Sequence, residues 1–425
     1  MKKKLLSGAF ERIFTSLYGP HKLTEQAGRW LKALDSFMKN CSCGEDSLVS
    51  LYSAPGRTEV GGNHTDHENG RVLAAAVNLD IIAVVSRCDA NTVFIKSEGY
   101  RGDRVDLGDL EKKTEEIDKS VSLVRGICAR FNALGYKTGG FNAYTTSQVL
   151  KGSGLSSSAA YEVLVGTILN GEFNKGAVSA VEIAQISQYA ENEYFGKLSG
   201  LMDQTASSVG SFVAIDFEDD AKPVINKLDF DFAASGYRLC IVDSGGGHAD
   251  LSEEYSAVTR EMRAVAAYFG KKVLREVSET EFYKHIPEVR PKYGDRAVLR
   301  AMHFFDENRR ALEEAAALRR GDFPQFLKLV NESGLSSYMY LQNAYAASAT
   351  ENQAVPVALA LSKRILGGEG ACRVHGGGFG GTIQVFVPET LLEKYREKIE
   401  IFLGAGKCYT LSIRPHGGIC VSDFI

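Results

Sequence analysis

The stretch Gly152-Ser153-Gly154-Leu155-Ser156-Ser157-Ser158-Ala159-Ala160 decides how this chain is read. Its first half carries two glycines and small polar residues. Its second half runs directly into Tyr161-Glu162-Val163-Leu164-Val165-Gly166-Thr167-Ile168-Leu169, where apolar residues recur at helical spacing. The pattern predicts a glycine loop feeding a helix, with serines at the cap and in the first turn. A helix start presents unpaired N–H groups and the positive end of the dipole. Glycines let a phosphate approach the backbone, and serine hydroxyls add donors or a metal ligand. The alternative is a glycine turn with a serine cap, although three serines in a row exceed what a cap requires. Upstream, Gly139 to Ser147 reads as a strand, so the loop lies between strand and helix, as a phosphate cradle should. It is not a P-loop, because no G-x-x-x-x-G-K-[ST] occurs in the chain. The H-R-D and D-F-G set of protein kinases does not occur either.

Composition bounds the rest. A chain of 425 residues is long enough for roughly two to three domains and a large core. With 44% hydrophobic and 24% charged residues it reads as a soluble globular protein. A net charge of -4 argues against nucleic acid, whose phosphates select a basic face. No apolar run approaches the roughly 20 residues of a membrane span. Met1-Lys2-Lys3-Lys4-Leu5-Leu6 begins like a signal peptide, but Glu11 and Arg12 end the apolar region, so a cytoplasmic protein is expected. The eight cysteines are scattered. Cys41 and Cys43 lack the nearby second pair of a zinc site, and reduced core thiols are expected.

Residues 7 to 46 read as helical packing elements, with Phe10, Ile13, Phe14 and Leu17 on one face and Trp30, Leu31, Leu34 and Phe37 on another. Leu48 to Ser53 is a predicted strand. It leads into a polar, glycine-rich stretch, Ala54 to Gly70, that holds Arg57, Asn63, His64, Thr65, Asp66 and His67. Its carboxylate, amide and imidazole groups suit a hydroxyl-rich ligand such as a sugar. A metal site or a structural loop are the alternatives; His64 and His67 are i, i+3 in a loop, unlike H-E-x-x-H on a helix. Strands are predicted at Leu73–Val77, Ile81–Ser86, Thr92–Lys96, Phe212–Phe217 and Arg238–Asp243, and helices at Val121–Leu134, Val181–Gly196 and Leu251–Phe269. Asp295 to Ser333 reads as helical with Gly334 as its stop. Asp203, in Ser199-Gly200-Leu201-Met202-Asp203-Gln204, is either a helix cap or a charge with a task, since an unpaired charge in such a context is costly. Glu218 to Pro223 is a charged turn and a candidate seam. Gly376 to Gly381 holds a formal G-x-G-x-x-G, but a strand, Thr382 to Val387, follows it. That excludes a dinucleotide loop and predicts a tight turn packed against another backbone or a ligand.

Together these stretches resemble the GHMP small-molecule kinases, and within them the galactokinase branch. Pro55-Gly56-Arg57 with Gly62-Asn63-His64-Thr65-Asp66 is similar to the signature G-R-V-N-x-I-G-E-H-T-D-Y. Gly152 to Ser158 is similar to the family's phosphate loop, Gly200 to Gln204 to G-I-M-D-Q, and Gly376 to Gly381 to its third motif. The resemblance implies a two-domain α+β fold: residues 1–222 with the nucleotide loop, and residues 223–425, ferredoxin-like, with ATP and sugar meeting between them. It implies phosphorylation of galactose at C1 or of a close relative, with ATP and Mg²⁺ as cofactors. Asp203 would take or orient the proton of the sugar hydroxyl, and Arg57 would hold Asp203 ionised and stabilise the phosphoryl charge. Gly152, Ser153, Gly154, Leu155, Ser156, Ser157 and Ser158 would cradle ATP, with Ser97 touching the nucleotide. Ser158 and Glu191 would hold Mg²⁺. Asn63, His64, Thr65, Asp66 and Tyr255 would bind the sugar.

The chain departs from the signature in places. Asn63 stands for the family's Glu, which contacts the sugar near its C6 hydroxyl, so loss of that charge would admit a C6 carboxylate. His67-Glu68 stands for Tyr-Asn, and Leu150-Lys151 for Pro-Leu. Other readings are therefore a galacturonate or arabinose kinase, or a non-catalytic sensor of sugar and ATP on the same fold. The expected partners are a sugar and ATP, not nucleic acid or membrane, with the chain a monomer or weak homo-oligomer.

Overall fold

In the computed structural model, residues 1–41, 48–149, 154–219, 221–246 and 251–425 are described. Twelve strands are found among them: β1 Ser50–Gly61, β2 Arg71–Arg87, β3 Thr92–Ser97, β4 Gly102–Asp106, β5 Phe141–Ser147, β6 Phe212–Asp216, β7 Val224–Leu228, β8 Tyr237–Asp243, β9 Ala371–Val374, β10 Thr382–Pro388, β11 Cys408–Leu411 and β12 Ile419–Cys420. The first sheet runs β12-β1-β2-β5-β3-β4, and the β6–β7 hairpin pairs with the start of β2. Among the described strands, only β3 and β5 are parallel neighbours. The second sheet, β11-β8-β10-β9, is antiparallel throughout. The fold is α+β, as expected.

β1 and β2 organise the first sheet. Alternate residues face opposite ways along a strand, and here the two faces have different covers. Leu51, Ile82, Val84 and Tyr144 pack under the N-terminal helices Glu11–Tyr18 and Leu23–Asn40, with Phe14 stacked on Trp30 at 6.0 Å. Tyr52, Ala54, Ala83 and Val85 pack under the helix Ser157–Asn174. The N-terminal segment is therefore the lid of one sheet face. β2 spans 17 residues as one strand where the sequence predicts two. Asn78-Leu79-Asp80 reads as a break, yet Asp80 is fully buried and paired with Arg29 at 2.6 Å, Arg414 at 3.0 Å and the Tyr18 hydroxyl at 2.7 Å. A buried carboxylate satisfied in this way can stay within a strand.

Two further expectations change. The seam at 222/223 falls inside the β6–β7 hairpin, so the sheets part between Leu228 and Tyr237, and the chain returns to the first sheet at β12. Gly334 does not stop a helix. The first helix, Asp295–Arg319, ends before Gly321; the second, Phe323–Ser336, contains Gly334, where a side-chain carbon would lie 2.7 Å from the Cys372 carbonyl. Gly334 lets that helix pack onto β9. Among the described residues seven cysteines are free, most of them buried, and no helix is long and apolar enough to cross a membrane.

Candidate active site

Arg57 lies on β1, not in a loop. The β1–β2 register shifts between Pro55 and Arg57, which brings the strand against the chain ahead of Ser157–Asn174. A side-chain carbon on Gly56 would lie 2.9 Å from the Leu155 carbonyl, and Arg57 N donates to that same carbonyl at 3.0 Å. Only glycine allows this approach. Arg57 then donates through Nε to Asp203 Oδ1 at 2.7 Å and through Nη1 to the Gly154 carbonyl.

Asp203 stands in the first turn of the helix Met202–Val209, whose N-cap is Leu201, so the cap reading is not what the structure shows. Ser156 occupies the N-cap of Ser157–Asn174 in a left-handed conformation, φ 55°, but gives the helix no side-chain cap. Its hydroxyl donates instead to Asp203 Oδ2. The helix start therefore keeps free N–H groups for an anion. Burial acts to raise the Asp203 carboxyl, but the Arg57 guanidinium and the Ser156 hydroxyl outweigh it and hold the group below the usual carboxylate range.

Behind this pair, Glu191 sits in a single π-helical turn, Ala190–Phe195, that follows the helix Ala180–Tyr189. Its carboxylate accepts from Lys197 at 2.8 Å, Ser199 at 2.5 Å and Gln204 at 2.8 Å, with Ser158 Oγ at 3.4 Å. Burial works against the Lys197 ammonium, yet its bond to Glu191 holds its pKa above the ordinary lysine value. Glu162 is fully buried beside them; its Oε2 accepts from Gln204 at 3.1 Å and its Oε1 has no partner among the described residues. Burial, then the nearby Glu191 charge, pushes its carboxyl well above the ordinary range.

Two cavities flank the Ser156–Ser158 corner. One, about 450 Å³, is lined by Ser97, Ser157, Ser158 and Tyr161 among others. The other, about 220 Å³, is lined by Arg57, Glu59, His64, Asp66, Lys197, Asp203 and Gly377 among others. Ser97 Oγ accepts from Thr145 at 2.9 Å on the wall of the first. Gly152 and Ser153 lie outside the described residues, and the Leu155 side chain is core.

The candidate sugar ligands divide. His64 and Asp66 line the smaller cavity. His64 Nε2 lies 3.0 Å from the Gly377 carbonyl, which can only accept, so Nε2 carries the proton and Nδ1 is left as an acceptor. Burial, reinforced by His67, pushes His64 down to about 4 and keeps it neutral. Three others point elsewhere. Thr65 Oγ1 is buried against the carbonyls of Gly62 and Arg71, at 2.9 and 2.6 Å. Tyr255 packs on the glycine turn, and its hydroxyl donates to the Gly378 carbonyl at 2.9 Å. Asn63 is fully buried and bonded on both sides of its amide.

Sequence reasoning missed Glu59, Glu162 and Lys197. Glu59 is two residues from Arg57 on one strand and so shares its face; reading that stretch as a loop hid the signal. Glu162 is one helical turn beyond Ser158. Lys197 gave no local signal.

Residues 122–211 match the model of the GHMP kinases N terminal domain, and residues 37–87 match the galactokinase galactose-binding signature. The chain is 30% identical over 350 residues to a galactokinase of Thermotoga neapolitana, covering 82% of this chain and 92% of that protein. The chain belongs to the galactokinase family. A galactokinase of Actinobacillus pleuropneumoniae is 29% identical over 369 residues, covering 84% and 90% of the two chains. Among solved structures, Lactococcus lactis galactokinase complexed with galactose superposes with a TM-score of 0.76 at 24% identity, over 92% of this chain and 99% of that one. Methanococcus jannaschii mevalonate kinase gives 0.59 at 13% identity, over 87% and 99%. These two share the fold. Arg57, Glu59, His64 and Asp66, all on the smaller cavity, fall within the residues that match the galactokinase signature.

Proposed function

We propose that the chain transfers the γ-phosphoryl group of ATP to the C1 hydroxyl of galactose, yielding galactose 1-phosphate and ADP. The observation that carries this is the Arg57–Asp203 pair, set in the smaller cavity and tied through Ser156 to the helix start that borders the larger one. ATP takes the larger cavity, with its phosphates toward the N–H groups of Ser157 and Ser158. The sugar takes the smaller, with His64 Nδ1 and Asp66 accepting from its hydroxyls.

In the transfer, the C1 oxygen bonds to the γ-phosphorus as the bond to the β–γ bridging oxygen breaks, and the proton of the C1 hydroxyl passes to Asp203 and then to solvent. A carboxylate with a depressed pKa is a weak base. Its first task is to orient the hydroxyl, and it takes the proton late. That suffices, because phosphoryl transfer through a loose transition state needs alignment and charge stabilisation more than a strong nucleophile. Arg57 supplies fixed positive charge beside the transferred group.

Mg²⁺ fits the residues present. Ser158 and Glu191 offer hard oxygen donors, and behind them Glu162 has a buried carboxyl oxygen with no partner among the described residues. Among the described residues no three His, Cys, Asp or Glu side chains gather to hold a metal. That accords with an ion that takes one or two protein ligands and completes its shell with phosphates and water. When bound, the ion neutralises phosphate charge.

The test is ADP release measured with ATP and a panel of galactose, galacturonate and arabinose. Turnover on galactose is expected. A C6 carboxylate would face both Glu59 and Asp66, which disfavours galacturonate. Turnover on galacturonate alone would overturn the substrate, and ATP and sugar binding without ADP release would favour the sensor.

A further inference from the structure

The family signature G-R-V-N-x-I-G-E carries an amide at its fourth position and an acid at its eighth. Here the fourth is Glu59 and the eighth is Asn63: the two groups have changed places. The structure shows them in contact. Asn63 Nδ2 donates to Glu59 Oε1 at 2.8 Å and to the Gly376 carbonyl at 2.8 Å, while Asn63 Oδ1 accepts from Asn343 at 2.8 Å and Ser337 at 3.4 Å. All four hydrogen bonds open to an amide are used within the protein, and Asn63 has none left for a ligand. Glu59 is different. It lines the smaller cavity together with Arg57, His64 and Asp66. Its Oε1 takes Asn63 and the Arg373 guanidinium, the latter at 2.9 Å, and its Oε2 has no hydrogen-bond partner among the described residues.

We infer that Glu59 is the acid that binds and selects the acceptor sugar in this chain, its Oε2 accepting from a sugar hydroxyl, and that Asn63 is the positioning residue that fixes its carboxylate. This rests on the reading of the chain as a sugar kinase. The cavity has therefore kept its carboxylate and moved it along β1. Two residues on one strand edge the sugar: Arg57 toward the transferred group and Glu59 toward the body of the ring. Burial raises the Glu59 carboxyl above the ordinary carboxylate range, and Arg373, fully buried on β9, is the counter-charge that works against it.

The experiment compares wild type with Glu59→Gln, Asn63→Glu, Glu59→Asn and the exchange Glu59→Asn with Asn63→Glu. Kinetics and calorimetric binding are read on galactose, 2-deoxygalactose and 6-deoxygalactose. A lost charge-assisted bond to one hydroxyl predicts a galactose KM raised at least ~10-fold in Glu59→Gln, with kcat changed by less than ~3-fold. It also predicts that one deoxy sugar penalises wild type more than the variant. The exchange variant should lie closer to wild type than either of its single components, because the two side chains touch; the deoxy-sugar penalties, which a merely structural role for Glu59 would leave unchanged, separate sugar binding from packing. If Glu59→Gln does not fold, the exchange variant decides by the same readouts, since it keeps one acid and one amide at the two positions that touch. Wild-type KM and unchanged deoxy-sugar penalties in Glu59→Gln, or an exchange variant as impaired as its two components summed, would overturn the assignment and leave the kinase reading standing. A wild-type chain that neither binds nor phosphorylates any sugar of the panel would overturn both.

Discussion

At Asp203 burial favours the neutral acid, while holding a sugar hydroxyl requires the anion. Arg57 resolves the conflict with a guanidinium that reaches Oδ1 at 2.7 Å, and Ser156 adds its hydroxyl on the other oxygen. Asp203→Asn keeps the shape and removes the charge, so kcat should fall by ~10³-fold or more while calorimetry still detects sugar binding. Turnover near the wild-type rate would mean that another group receives the proton. Ser156→Ala removes one bond that depresses the Asp203 pKa. The folded value then rises, and the acid limb of kcat/KM should move to higher pH, which a pH–rate profile would show. His64 should not contribute to that limb near neutrality, since its value lies at about 4. Arg57 and Asp203 could be found in the sequence because each sits in a short motif whose residue types have a chemical purpose. Glu59 and Lys197 could not be placed so readily, because their purpose comes from Asn63, Arg373 and Glu191, brought to them by folding.

The elements that position these side chains are joined by close backbone approaches. β1 meets the start of Ser157–Asn174 at Gly56, where an added carbon would lie 2.9 Å from the Leu155 carbonyl and 3.1 Å from Val149 Cγ1. Gly56→Ala should push that carbonyl back and take the helix start with it. The expected result is an ATP KM raised ~10-fold or more, with a smaller effect on the sugar KM, because the phosphate N–H groups move more than His64 or Asp66. Equal changes in both would place the damage elsewhere. Periodicity revealed several of the longer helices and most strands, since their apolar faces recur locally, but it passed over the helices Ala354–Leu366 and Leu392–Leu403. It failed where distant residues change a local preference. Asp80 reads as a strand breaker until Arg29, Arg414 and Tyr18 surround it, and Gly334 reads as a helix stop until β9 packs against it.

Across the whole molecule, the Asp80 cluster joins parts of the chain that are far apart in sequence. Tyr18 comes from the first long N-terminal helix, Arg29 from the next, Ser53 from β1, Asp80 from β2 and Arg414 from the segment after β11. All of it lies beneath the N-terminal lid and on the far side of β1 and β2 from the Ser157–Asn174 helix, so it can be perturbed without touching the site. Burial raises the Asp80 carboxyl, but Arg29 and Arg414 together pull it below its ordinary value. A carboxylate depressed in the folded state gives stability that is present above its unfolded pKa and lost as the pH falls through its folded one. Arg414→Met keeps much of the side-chain volume and removes one of the two guanidinium groups. Breaking a buried pair from one side costs on the order of 3–5 kcal/mol, which urea unfolding at neutral pH should register as a lower midpoint. The Asp80 pKa should rise in the same variant, so its acid unfolding should begin at a higher pH than in wild type. The galactose and ATP KM values of the folded fraction should stay within ~2-fold. An unchanged urea midpoint would show that Arg29 alone satisfies Asp80, and altered KM values would show that the cluster reaches the active site through β1.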